Sequence, residues 1–126
     1  MNRPRFLLIG IDPDKVDYTV PGIPAGLSAQ TVHMAIAAGN TRIAERGLAC
    51  DMLLIAPDEP NDGAIVKQLA ANAYDVVVIG GGLRKPDNTV RTFEMVLNAI
   101  RLHAPAAKIA FNTNPTDSAD AALRWL

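Results

Sequence analysis

Four short apolar runs without alternation of polar and apolar residues constrain this chain more than any other feature. Arg5 to Ile11 (RFLLIGI) stops at Asp12-Pro13, and Cys50 to Ala56 (CDMLLIA) stops at Pro57-Asp58. Tyr74 to Ile79 (YDVVVI) stops at Gly80-Gly81-Gly82, and Lys108 to Phe111 (KIAF) stops at Asn112-Thr113-Asn114-Pro115. A strand with one wet face alternates. A continuous run reads instead as a strand covered on both faces, the situation of a parallel sheet between two layers of helices.

Helical periodicity fills the gaps between the runs. Ser28 to Arg46 sets Val32, Ile36, Gly39 and Ile43 on one stripe, with Ser28 as N-cap and Gly47 as the left-handed residue beyond the end. Asp62 to Ala73 carries Ile65, Leu69 and Ala73 at the same spacing. Asn88 to Ala104 places Val90, Phe93, Leu97, Ile100 and Ala104 on one face and is stopped by Pro105. Asp117 to Leu126 offers Ala119, Ala122, Leu123 and Leu126, with Thr116 as its cap. Strand and helix thus alternate four times within 126 residues, which predicts one α/β domain over 1–126: a three-layer sandwich with helices on both faces of a four-stranded parallel sheet. The flavodoxin-like order 2-1-3-4 keeps the two most apolar strands central. The dinucleotide-type order 3-2-1-4 would leave the Val76 strand as a sticky border.

Composition narrows the function classes. Hydrophobic residues make up 49% and charged residues 20%, the balance of a chain that packs a core. Twelve basic and thirteen acidic residues give a net charge of −1, so no electrostatic footprint for nucleic acid is present. The apolar runs fall far short of the roughly 20 residues of a membrane span. Met1-Asn2-Arg3-Pro4-Arg5 leads directly into a short apolar run without a cleavage site, and the single cysteine, Cys50, makes no internal disulfide. The expectation is a cytoplasmic protein. Two open sheet edges, with Trp125 and Leu126 in the last helix, make a homodimer an expectation as well, although Trp125 fits packing within its own monomer equally.

In open α/β sheets ligands bind beyond the carboxyl ends of the strands where the strand order reverses, here between the first and third strands. Asp12-Pro13-Asp14-Lys15 and Gly80-Gly81-Gly82-Leu83-Arg84-Lys85 meet there, with Asn112 and Thr113 beside them. Gly80, Gly81 and Gly82 permit a tight turn and close approach of a ligand to main-chain amides. Arg84 offers a fork for a carboxylate or phosphate, Lys85 a point charge, and the following helix its free amides. A small anionic ligand, or a protein partner, suits this arrangement. The string matches neither GxGxxG nor GxxxxGK[ST], so a plain strand-to-helix turn with a solvated Arg84 explains it equally well.

Asp12 and Asp14, two carboxylates after a buried strand, are compatible with Mg²⁺ and hence with a small Mg²⁺-assisted hydrolase that uses Arg84 as its anion clamp. Turn and cap chemistry competes with this reading, because Pro-Asp recurs at Pro13-Asp14, Pro57-Asp58 and Pro86-Asp87. From Asp12 to Leu27 the chain (DPDKVDYTVPGIPAGL) is longer than the about two to six residues usual for such connections. It reads either as a lid, with Tyr18 stacking on a ligand and Pro21 and Pro24 stiffening the path, or as packing over an open edge. His33 and His103 lack catalytic neighbours in sequence, Ser28 is explained by capping, no Gly-x-Ser-x-Gly elbow occurs, and Cys50 reads as a small buried hydrophobe. Aromatic residues at 5% leave few rings for a flavin.

The strings FLLIGIDPD, VVVIGGGLR and FNTNP resemble a small bacterial α/β family of conserved hypothetical proteins, a resemblance that implies the layered fold and carries over no activity. The DxD at Asp12 and Asp14 is similar to the nucleophile motif of haloacid dehalogenase-type phosphatases over that short string alone. In size and alternation the chain also resembles response-regulator receiver domains. That resemblance implies that Asp12 and Asp14 stand for the acidic pair and Thr113 for the switch hydroxyl. It departs at the third strand, where Gly80-Gly81-Gly82 takes the place of the phosphoacceptor aspartate, and the fifth strand with its lysine is missing.

Overall fold

The structure is a computed structural model and describes residues 4–57 and 62–126. Four parallel strands, β1 (Arg5–Ile11), β2 (Ala49–Ile55), β3 (Val76–Ile79) and β4 (Lys108–Phe111), form one sheet in the order β2-β1-β3-β4. This is the flavodoxin-like arrangement. Phe6 lies opposite Cys50 on one side and Val76 on the other, while Val77 lies opposite Ile109. The helices are α1 (Ala29–Glu45), α2 (Asp62–Ala71), the single turn α3 (Gly81–Arg84), α4 (Val90–His103) and α5 (Ser118–Leu123).

The two-residue period of a strand divides the core in two. Leu7, Ile9 and Ile11 of β1 pack with Ile65 and Leu69 of α2, Leu83 of α3, and Val96 and Ile100 of α4. Phe6 and Leu8 pack on the other face with Ile43 of α1 and Ala119, Ala121 and Ala122 of α5. The first crossover moves one way along the sheet over one face; the second and third move the other way over the opposite face. All three therefore have the same hand. No helix among the described residues is long and apolar enough to cross a membrane.

Several boundaries differ from the sequence expectation, each for a local reason. β3 begins at Val76 rather than Tyr74, because Tyr74 turns its hydroxyl to Asp51 (2.7 Å) and receives a hydrogen bond from Gln68 (2.8 Å). A 3₁₀ turn at Asp87–Thr89 precedes α4, anchored by the buried Thr89 hydroxyl on the carbonyls of Leu83 and Pro86. The buried face of α4 is Thr92, Val96, Ala99 and Ile100, and Val90 is exposed. Phe93 reaches sideways to Phe111 on the edge strand, edge to face at 5.8 Å. α5 is shorter than expected, and Asn114, not Thr116, caps the turn before it by accepting from the Thr116 amide at 2.8 Å. Trp125 and Leu126 lie beyond it, exposed. Ser28 caps α1 as expected, with a reciprocal bond from its own amide to the Thr31 hydroxyl. Gly47 takes φ +68° beyond the end of α1.

Candidate functional site

On the α1 face of the sheet, the side chains of β1 run Phe6, Leu8 and then nothing, because the next inward position is Gly10. Gly80, just after β3, also lacks a side chain, and a β-carbon there would lie 3.5 Å from the Gly10 α-carbon. The opposite face is filled at this level by Ile9, Ile11, Ile79 and Leu83. On the α1 face the two glycines leave a cavity of about 460 Å³.

Its walls come from four parts of the chain. Leu8, Gly10, Met52 and Leu54 form the floor on β1 and β2, and Thr31, Val32, Ala35 and Ile36 of α1 form the roof. Val32 and Ile36 fall on the stripe the sequence assigns to the core, yet they are only half-buried because they cover a space rather than a strand. Val16, Tyr18, Ile23, Pro24 and Leu27 of the long first connection close one side, and residues 112–116 close the other.

The connection is held at both ends. Asp12 accepts a hydrogen bond from the Asp14 amide (3.0 Å), capping the 3₁₀ turn Pro13–Lys15. Tyr18 donates its hydroxyl to the Pro13 carbonyl at 2.7 Å; burial raises the phenol above its ordinary pKa, with the charges of Asp14 and Asp12 adding to it. Gly22, at φ +95°, lies so close to the glycine loop that a β-carbon would sit 2.8 Å from the Lys85 carbonyl oxygen. The Pro21 carbonyl accepts from the Asp87 amide at 3.3 Å.

The glycine loop has a different architecture from an open anion cradle. The Gly80 amide donates to the Ile9 carbonyl (2.9 Å) and the Gly81 amide to the buried Asn112 side chain (3.1 Å). Asn112 is oriented in turn by donating to Ser118 at 3.0 Å. Gly81 leaves room for the Lys85 stem, whose ε-carbon would lie 3.1 Å from a β-carbon at that position. The Lys85 ammonium donates to the Thr113 carbonyl at 2.5 Å. It is the single charged side chain among the described residues lining the cavity, and no carboxylate lines it.

Five of the eight residues singled out from the sequence line this cavity: Gly80, Gly81, Gly82, Asn112 and Thr113. Asp12, Asp14 and Arg84 do not. Asp12 is the cap just described, and Asp14 meets His33 of α1 at 3.0 Å in an exposed pair. Arg84 turns back under the loop, donates to the carbonyls of Ile79 and Asn112, and lies over the Phe111 ring at 4.9 Å. Burial pulls its guanidinium down from its ordinary value, against the opposing charge of Asp117. Burial pushes the Asp117 carboxyl up, but bonds from the Thr113 hydroxyl and the amides of residues 113 and 114 outweigh that and hold it low.

Among the described residues, no three His, Cys, Asp or Glu side chains come together as a metal site. Asp58, of the second Pro-Asp pair, lies outside the described residues. The roof on α1 and the floor at Gly10, Met52 and Leu54 were missed by sequence reasoning. The one available signal was Gly10, a glycine inside an otherwise apolar strand. No protein-family model matches the chain and no curated protein matches it, so the functional reading rests on this cavity and the residues that build it.

Proposed function

We propose that this chain is a non-catalytic binding module for a small anionic ligand, seated at the carboxyl ends of β1 and β3 beneath the amino-terminal half of α1. One observation carries the reading: a cavity of about 460 Å³ at the sheet's switch point whose only charged lining group, among the described residues, is an ammonium. Its size falls within the roughly 300–1,000 Å³ typical of ligand sites, and its position is where this class of sheet binds ligands. The four lining hydroxyls are committed to structure, Tyr18 to the Pro13 carbonyl, Thr31 to the Ser28 carbonyl, Thr113 to Asp117 and Thr116 to Asn114, which favours binding over nucleophilic catalysis.

Thermal unfolding against a panel of phosphates, nucleotides and carboxylates tests this. A ligand at 100 times its Kd adds about 2.7 kcal/mol of stability. A raised melting temperature, with amide shifts at Gly80, Gly81, Gly82 and Thr113, is the expected result; an unmoved transition across the panel overturns the reading. Self-association is a separate part of the proposal, supported by the exposed Ile109 and Phe111 of edge strand β4 and by Trp125. Sedimentation at high concentration gives twice the monomer mass if it is right, and a strict monomer rejects it.

A further inference from the structure

We propose that the ligand is a monoanion with an apolar body, of the medium-chain carboxylate class, with its hydrocarbon between α1 and the sheet and its carboxylate at Lys85. This rests on the cavity being a ligand site, and it specifies what the site takes.

The chemistry of the walls is the first argument. Leu8, Met52 and Leu54 below and Val32, Ala35 and Ile36 above present hydrocarbon to the space. An apolar body leaves water on entering, whereas a sugar or a nucleobase edge would lose hydrogen bonds there without replacement.

The second argument is the count of free donors. A phosphate or pyrophosphate needs several, and the loop that looks suited to supply them has used four of its six amides. The Gly80, Gly81, Leu83 and Lys85 amides donate to Ile9, Asn112, Gly80 and Gly81. Arg84, the forked donor, is bound to two carbonyls on the far side of the loop. The Lys85 ammonium has three N–H groups, and the Thr113 carbonyl takes one. One cation with donors to spare at the edge of an apolar, acid-free cavity matches a single negative charge.

Calorimetric titration of the full chain with decanoate, decanol, inorganic phosphate and adenosine monophosphate tests this, with melting temperatures confirming that each variant folds. Decanoate is expected to bind about tenfold tighter than decanol, the share of a charged hydrogen bond. Lys85→Met brings decanoate down to the level of decanol and leaves decanol unchanged. Ala35→Leu, which keeps a good helix former while filling the cavity from its roof, abolishes both. Decanoate binding that survives both substitutions, or that equals decanol binding in the wild type, overturns the proposal. Binding of phosphate or the nucleotide without decanoate overturns it while leaving the anion-binding reading intact. If none of the four probes binds, both fall.

Discussion

Gly39 of α1 packs directly on Pro115: a β-carbon at Gly39 would overlap the Pro115 carbonyl oxygen and lie 3.1 Å from its carbonyl carbon. The obstacle is backbone, which has little room to give, and the same contact sets the height of α1 above the cavity. Gly39→Ala is therefore expected to destabilise by about 1–3 kcal/mol or more, overriding the roughly 1 kcal/mol that alanine gains over glycine in a helix. Gly63 of α2 has no neighbour within 4 Å of its β-carbon position, so Gly63→Ala is expected to stabilise slightly. Urea unfolding midpoints for the two variants should move in opposite directions; a shared direction would refute the packing argument.

Arg84 and Lys85 are adjacent cations with separate tasks. The Arg84 guanidinium ties the end of β3 to the end of β4 through the Ile79 and Asn112 carbonyls and stacks on Phe111. Arg84→Met is expected to cost about 1–3 kcal/mol of stability. At a temperature where both proteins are folded, anion affinity should fall far less than in Lys85→Met. A variant of unchanged stability with lost anion binding would reverse these assignments.

This division of labour marks where the sequence stops being legible. β1 and β4 were readable at both ends, because Asp12-Pro13 and Asn112 to Pro115 are residue types that do not continue a parallel strand. The strand order followed from which runs are most apolar. The start of β3 was not readable, since Tyr74 looks like a strand residue and is drawn off by a hydrogen bond to Asp51, far away in sequence. The glycine loop was located, but its contents depend on what comes from elsewhere: Asn112 fills the Gly81 amide and the Asn112 carbonyl claims Arg84. The cavity was invisible for a related reason. Helical periodicity puts Val32 and Ile36 on the same stripe as Ile43 and does not distinguish packing on a strand from roofing the gap left by Gly10.

Tyr74 and Asp51 share one hydrogen bond, and their pKa values move in opposite directions. The bond from Tyr74 lowers the Asp51 carboxyl, opposed by burial and assisted by Arg5 at 2.7 Å. A depressed carboxyl contributes stability that is present above its ordinary value of 3.8 and is lost as pH falls through the folded value. Burial, and then the bond to Asp51, raise the Tyr74 phenol above 10.0. That contribution is present below 10.0 and is lost as pH rises through the folded value. Urea midpoints measured from about pH 3 to pH 11 should form a plateau with a decline at each end. Tyr74→Phe should flatten both declines, and unchanged slopes would show that this pair does not govern them.

Cys50 opens the inner part of β2 with its thiol packed against the Phe6 and Leu8 cluster and donating to the Asp51 carbonyl at 3.2 Å. Burial, then the Asp51 charge, push the thiol up to about 12, against a weaker opposing backbone bond at Leu8. The thiolate is the reactive form, so at pH 8 alkylation by iodoacetamide should run on the order of a hundredfold or more slower in the folded protein than in the unfolded chain. In rising urea the labelling rate should climb in step with the unfolding curve, because the half-buried thiol returns to its ordinary acidity when β2 opens. Labelling in native buffer at the speed of a free thiol would mean that β2 opens at that end while the rest of the sheet stays paired.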